Sequence, residues 1–556
     1  MKKSYKIISI PHLLIASLLL AAIFTACKKE EDNFEKTRLF RPVLNGQGMT
    51  VENNVITLNM GKLKEAVSYT IEISRDSFKV TDYTITSDTN YVVIDETLLG
   101  EGLLYNTLYQ VRATANAIDP QYSSKVSDLG AIRTMRFPSI LNVPLSYHVT
   151  DRKAKVTWTV SGAAVTGVKV FASSDLRLSN PLASFNVPTQ DQTTGATIIN
   201  GLTPSTQYQV AIYSGSTLRG WVDYKTLVAG VDVNDPKVVD LSESEDPNAV
   251  TNAIATAPEG GIILLKKGFR YNMPTAALTK SVTFKGAYGF NTQKAALVNT
   301  VGNMNIAPGA NISQVVFDDV ELDGANISST YVFNPSTAGA ATQIQELKFE
   351  NCDIHHMRGV MRIRSDVFVR NIIFSNSIIH HIGNYSVLTA DTDGAGKAAF
   401  DNVKFVNSTF YKINSLIQTR QNLQSLEIDG CTLNEFTSGG AQVLRFRGST
   451  GFNNVVNGIT IKNSIFGHGW DETNTQNTTI TMKSGLPSTT FTITNTWATS
   501  DLKMVAGTEI PGLPNQTYNG AANKLWADPY NGTFSFLDPG FAGKYDAGAP
   551  LWRAKL

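Results

Sequence analysis

Cysteine is scarce. The 556 residues contain three, at Cys27, Cys352 and Cys431, and no Cys-x-x-Cys pair, so no thiolate metal centre is expected. An excess of one charge is also missing. Lys and Arg number 48 against 47 Asp and Glu, so nothing draws the chain as a whole toward nucleic acid. The 3.6-residue period of an amphipathic helix is absent from the longest repetitive stretch, which excludes a helical repeat there.

That stretch runs from Val315 to Trp497 and repeats one phrase: apolar, any, apolar, any, a turn residue, a small hydroxyl or thiol, any, apolar. The copies are VVFDDVEL (Val315–Leu322), LKFENCDI (Leu347–Ile354), IIFSNSII (Ile372–Ile379), VKFVNSTF (Val403–Phe410), LEIDGCTL (Leu426–Leu433), ITIKNSIF (Ile459–Phe466) and FTITNTWA (Phe491–Ala498). Their second apolar positions, from Phe317 to Ile493, are spaced by 32, 25, 31, 23, 33 and 32 residues. Period-2 alternation inside copies of this length describes coils of a parallel β-solenoid. One coil cannot bury its apolar face alone, so coils stack, with equivalent residues about 4.8 Å apart. Ladders follow. Asn351, Asn376, Asn407, Asn463 and Asn495 share a column broken only by Gly430, residue types that tolerate left-handed turn geometry. Cys352, Ser377, Ser408, Cys431, Ser464 and Thr496 form the next column. Its two cysteines lie three coils apart, about 14 Å, whereas a disulfide needs Cα atoms within about 7 Å. Two buried free thiols are expected.

An Asn ladder at a tight turn in coils of this size resembles the right-handed parallel β-helix of the pectate lyase superfamily. The entry is similar too: an amphipathic helix at Asn248–Ala257, then PEGGIILLKKGFRY (Pro258–Tyr271). The tail Ala527–Trp552 resembles the ending of β-helix domains on Bacteroidetes surface lipoproteins.

Residues 1–26 have a basic start and an apolar run, and read as an export signal. They end FTAC, which resembles a bacterial lipobox, with Cys27 the acylated residue. The CKKEED that follows resembles the acidic stretch of outer-membrane lipoproteins exposed at the cell surface. Residues 27–36 are then a tether. Residues 37–137 and 138–227 read as two β-sandwiches. VTWTV (Val156–Val160) sets Trp158 on an early core strand, and LTPSTQYQVAIYSG (Leu202–Gly215) resembles the fibronectin type III phrase in which a Tyr closes a corner. YNTLYQVRATA (Tyr105–Ala115) is a looser copy. Residues 231–556 form the β-helix with its capping segment. The expected fold class is all-β: two fibronectin type III-like β-sandwiches followed by a right-handed parallel β-helix.

Two sets of outward columns attract attention. The first holds His355, His380, Tyr411 and Asn434, beside His356, His381, Lys412, Glu435 and His468. Stacked histidines about 5 Å apart could hold a metal. No carboxylate accompanies them in the same coils on this reading, and none is assigned. The second lies on the third strand of each coil. Arg362, Thr389, Gln418 and Arg445 form one row, and Arg364, Asp391, Arg420 and Arg447 the next. Five arginines on four neighbouring strands repel unless anions attend them. Guanidinium forks match carboxylates. The anions are either local acids such as Asp391, Asp393 and Glu435, or the carboxylates of an acidic polysaccharide.

The superfamily resemblance puts the Arg row in the substrate groove, with Tyr331, Tyr385 and Trp470 as candidates for sugar stacking. The reading that follows is a lipid-anchored, cell-surface, outer-membrane protein that binds a pectin-like acidic polysaccharide, with no nucleic acid partner. Arg362, Arg364, Asp391, Gln418, Arg420, Arg445 and Arg447 are its binding residues. One alternative is a polysaccharide lyase acting by β-elimination, with Arg364, Arg420 or Arg447 as base. Calcium would be its cofactor, but Asp391 and Asp393 are the only close carboxylate pair on this face, an incomplete set. The Arg-x-Pro-x-x-Arg phrase of pectate lyases is absent. DTDG (Asp391–Gly394) and GHG (Gly467–Gly469) are similar to polygalacturonase fragments, but the intervening Asp-Asp and closing Arg-Ile-Lys are missing. A second alternative is a non-catalytic adhesin whose helix is a rigid rod.

Overall fold

The computed structural model describes residues 37–471 and 478–555; the export segment, Cys27 and the tether lie outside the described residues. The chain divides into two compact units. One comprises described residues up to 140 together with 173–181 and 217–221; the other comprises 141–172, 182–216 and everything from 222 onward.

The first unit contains an antiparallel sandwich. Three strands (Leu44–Glu52, Val55–Met60, Tyr91–Ile94) form one sheet. Tyr83–Ser87, Ser68–Ser74, Leu108–Asn116 and Ser127–Arg133 form the other, in that spatial order. Alternation selects the core: Ile56, Leu58, Ile71, Ile73, Tyr109 and Val111 are fully buried. The second sandwich pairs Lys153–Thr157 with Ala196–Asn200, opposite a sheet ordered Ala183–Asn186, Gly167–Ala172, Gln207–Ser214, Thr217–Lys225. Trp158 is buried at the end of its strand. Both corners close as the sequence suggests: the Tyr109 hydroxyl accepts the Leu104 N–H at 2.9 Å, and Tyr208 accepts that of Thr203 at 2.9 Å. The sandwiches are fibronectin type III-like.

From Val238 to Tyr518 the strands pair in parallel and the chain coils; Trp526–Asp528 and Thr533–Phe536 then form a separate antiparallel pair. Among the described residues, ten strands from Val238–Leu241 to Phe491–Thr494 form one sheet whose spatial order is the chain order. Phe317, Phe349, Phe374, Phe405, Ile428, Ile461 and Ile493 are register partners in succession. Their rings stack inside the helix, with centroids 5.2 Å apart for Phe317–Phe349 and 4.6 Å for Phe349–Phe374. The helix Ala249–Thr256 seals the first coil with buried Ala249, Val250, Ala253 and Ile254.

The turn column explains itself locally. Asn351, Asn376, Asn407, Asn463 and Asn495 all have φ between 43° and 53°, and Gly430 has 61°. The asparagine amides bond along the stack, but mostly to acids rather than to one another. Asn351 donates to Asp319 (2.9 Å), Asn376 to Glu350 (2.6 Å) and Asn463 to Asp429 (2.9 Å); only Asn495 reaches an asparagine, Asn463 (3.0 Å). The small column does two tasks at once. Ser377 Oγ donates to its own coil's Ser375 carbonyl and accepts the Cys352 N–H of the coil before; Ser464 does the same for Lys462 and Cys431. A short hydroxyl reaches both partners. Cys352 and Cys431 are free and buried, and burial pushes the Cys431 thiol up to about 12.

A second sheet carries two ladders. The strands Asp353–Ile363, Ile378–Ile382, Thr409–Ile413 and Thr432–Asn434 make one; Asp353–Ile363 also begins the other, followed by Leu388–Ala390, Ile417–Thr419 and Gln442–Phe446. The C-terminal segment covers part of the first ladder. Phe534 meets the Tyr411 ring edge-on, Trp552 Nε1 donates to Thr409 Oγ1 at 2.8 Å, and Lys412 Nζ donates to the Tyr530 carbonyl at 2.6 Å. Tyr411, Asn434, Glu435 and His468, outward by alternation, are therefore buried.

Glu435 is the costly member of this covered column. Burial raises its pKa to about 7, with Lys412 opposing, and its Oε2 has no hydrogen-bond partner. The folded chain then holds this proton up to about pH 7, whereas the unfolded chain releases it near the usual Glu value. Stability is greatest below that value and falls as pH rises through 7. Glu435→Gln should flatten this slope and raise stability at pH 8 by about 2–3 kcal/mol. Unfolding midpoints of both chains at pH 4.5 and pH 8 check it; parallel profiles would refute it.

Candidate functional site

Residues 360–364, 387–391, 416–420 and 443–447 lie side by side on the second ladder. Arg362 pairs in register with Thr389, Thr389 with Gln418, and Gln418 with Arg445. Arg364, Asp391, Arg420 and Arg447 follow two positions on. The structure joins three of the five arginines through a single carboxylate. Asp391 accepts from Arg362 at 2.6 Å, from Arg447 at 2.8 Å and from Arg420 at 3.3 Å. Arg420 also reaches Asp393 at 2.5 Å. Burial opposes ionisation of Asp391, but the bond and charge of Arg362, then Arg420 and Arg447, outweigh it and hold its pKa below the ordinary value.

The remaining guanidiniums have no such anchor. Arg364 donates to the Asn334 carbonyl at 3.2 Å and Arg445 to the Gln418 side chain at 3.0 Å. Arg358, which alternation did not single out, donates to Asn384 at 2.9 Å. Its guanidinium and that of Arg362 sit over the Tyr385 ring at 4.1 and 4.4 Å. Of six guanidiniums, three thus pair with the two carboxylates and three bond only neutral acceptors. The Nε atoms of Arg362, Arg364 and Arg447 are buried without any acceptor. Burial, and then neighbouring arginines, hold Arg364 and Arg447 below the ordinary Arg value. The cluster is partly buried: the side chains of Arg362, Arg420 and Arg447 are 19, 29 and 28 % exposed.

Several expectations meet a different placement. Gln418 is buried and its amide oxygen is taken by Arg445. Tyr331 and Trp470 are buried, so neither offers a ring face to a sugar, and Tyr385 offers its ring to arginines. Asp391 and Asp393 are both committed to arginines, a poor setting for calcium. His468 is buried, with its Nδ1 against the Gly469 carbonyl at 2.7 Å.

The histidine columns also differ from expectation. His355 pairs in register with His380, and their rings stack at 4.8 Å; His356 and His381 stack at 4.8 Å beside them. Within each coil the two Nδ1 atoms meet, at 2.8 Å for His355–His356 and 2.6 Å for His380–His381. Carboxylates do accompany them, contrary to the sequence reading. Asp353 Oδ1 lies 3.2 Å from His380 Nε2, Glu321 Oε1 3.4 Å from His355 Nε2 and Asp323 Oδ1 3.7 Å from His355 Nδ1. The signal was present: Asp353 stands two residues before His355, and period 2 puts both on one face. Burial and the neighbouring imidazoles depress His356, and His381 down to about 3. For His355 burial is outweighed by Glu321 and the aspartates, which raise it.

Residues 270–413 match the model of a family described as a domain of unknown function, DUF4957. This region holds the four clustered histidines, Arg358, Arg362, Arg364 and Asp391. Among solved structures the chain is similar to the FN1-FN3 domains of chicken CNTN1, at 15 % identity over 34 % of this chain and 68 % of that one, TM-score 0.15. It is also similar to a two fibronectin type III domain segment of chicken tenascin, at 16 % identity over 33 % of this chain and 97 % of that one, TM-score 0.15. The curated proteins contain no match.

Proposed function

We propose that the β-helix captures an acidic, uronate-bearing polysaccharide along its arginine face, as part of a cell-surface protein anchored in the outer membrane through a lipid on Cys27. One observation supports this most: six partly buried guanidiniums with only two carboxylates among them. Carboxylates repeating along a glycan would pair with the solvent-facing terminal nitrogens of these guanidiniums, whose charge two internal carboxylates do not balance. The pectate lyase-like character inferred from the coils agrees with this placement.

The ligand-free ion pairs guide the test. Arg364 and Arg445 hold no carboxylate, so Arg364→Ala with Arg445→Ala leaves the Asp391 cluster intact. Retention on a polygalacturonate affinity gel should weaken about a hundredfold, at roughly tenfold per lost charge-assisted pair. It should also fall with added salt. Unchanged retention would remove the proposal.

A β-elimination reading has one observation in its favour, the depressed pKa of Arg364 and Arg447, which suits a base. Against it, the carboxylates a calcium ion would need are held by arginines. Incubation with polygalacturonate, with and without calcium, should give no ultraviolet absorbance from unsaturated products. Absorbance that grows with time would make the protein a lyase.

A further inference from the structure

We propose that Asp353, His355 and His380 form a binding site for one divalent transition-metal ion of the zinc class, separate from the arginine face. Four of the chain's seven histidines lie in this one patch, on two adjacent coils. One ligand atom from each of Asp353, His355 and His380 lies within 4.8 Å of the other two. In a tetrahedral zinc site with bonds of about 2.0–2.1 Å, neighbouring ligand atoms stand about 3.3 Å apart. Asp353 Oδ1 and His380 Nε2 are 3.2 Å apart. Yet Asp353 Oδ1 is a buried atom with no hydrogen-bond donor, so the approach is not a well-directed bond between the two groups. A shared cation would satisfy both.

The coil geometry prepares the imidazoles. The second histidine of each pair adopts a left-handed turn, φ 52° at His356 and 50° at His381, which swings its Nδ1 back onto the first. With the proton on His380 Nδ1 and donated to His381, His380 Nε2 presents its lone pair beside Asp353 Oδ1; His355 Nε2 lies 3.4 Å from Glu321 Oε1, so the metal would take that nitrogen in place of its Glu321 contact. Such an outer partner orients a metal-bound imidazole and raises its basicity. Two imidazoles and one carboxylate suit zinc rather than calcium or magnesium, and three protein ligands leave a position for water or a ligand oxygen. A second trio, Asp323 with His355 and His356, is less suited, because Arg270 already occupies Asp323 at 2.5 Å and Glu321 at 2.9 Å. Asp353 has no Lys or Arg within 4 Å among the described residues.

The test uses the tag-free full chain, titrated with Zn²⁺ by calorimetry and with Co²⁺ by visible absorbance. One Zn²⁺ per chain and the intense Co²⁺ bands of a tetrahedral site are expected. Asp353→Asn and His380→Ala should each weaken Zn²⁺ binding at least tenfold, and Asp353→Asn should do so while leaving the metal-free melting curve unchanged. His381→Ala, which removes only the outer partner, should weaken it about 10–100-fold. Asp323→Asn should change it less than threefold. No stoichiometric Zn²⁺ binding, weak octahedral Co²⁺ bands, or affinity lost in Asp323→Asn but kept in Asp353→Asn would each overturn the assignment.

Discussion

Asp391→Ala should destabilise the β-helix by about 2–4 kcal/mol. Its carboxylate is 11 % exposed and bonds three arginines from three neighbouring coils. Removing one partner of a buried ion pair typically costs about 3–5 kcal/mol, because the charge left behind stays desolvated. The arginines are a fifth to a third exposed, so solvent screening trims the figure. Asp393 is the natural control. It is 56 % exposed and bonds Arg420 alone, so Asp393→Ala should cost about 0–1 kcal/mol. Urea midpoints followed by tryptophan emission compare the two. Equal midpoints would mean that Asp391 does not hold the cluster together. The variant also bears on function. With Asp391 gone, the arginines lack their internal anion, so added polygalacturonate should raise the variant's midpoint more than it raises the original chain's.

Phe349→Ala should cost still more, about 3–5 kcal/mol for the buried ring. Phe349 is fully buried and stacks on Phe317 below and Phe374 above. Those two contacts add to the loss from apolar burial. In a solenoid each coil touches only its neighbours, so a void in the middle weakens two interfaces at once. Phe349→Leu keeps most of the volume and should cost about 1.5 kcal/mol or less. Hydrogen exchange of the strands Asn311–Asp318 and Val367–Ser375 would show the damage spreading one coil each way. Indistinguishable midpoints for Ala and Leu would show that the ring stack contributes little.

The candidate site was only partly legible in the sequence. The row containing Arg362, Arg364, Arg420, Arg445 and Arg447 came from alternation and register, and both hold. Three things did not. Period 2 says that Gln418 points away from the core, but it says nothing of Arg445 leaning across to cap it. Arg358 escaped notice because its strand continues through Met357 to Ile363 without the turn that the other coils have. The acids beside the histidines do not lie in the His columns themselves: Asp353 stands two residues back in its own coil.

The sequence alone determined the coils. Each repeated phrase specifies a strand, a left-handed turn and a small residue, and these interactions reach only to the next coil. Stacking therefore follows from a pattern that recurs every 23 to 33 residues. Only the tertiary structure decided which outward columns meet solvent. Trp552 reaches Thr409 across 143 positions of chain, and no periodicity encodes that docking. It sets Phe534 against the Tyr411 ring, and Tyr411 is buried. Charge compensation depends on tertiary structure for the same reason: where a loop carboxylate such as Asp391 comes to rest is set by packing between coils, and composition, balanced at 48 against 47, records nothing of it.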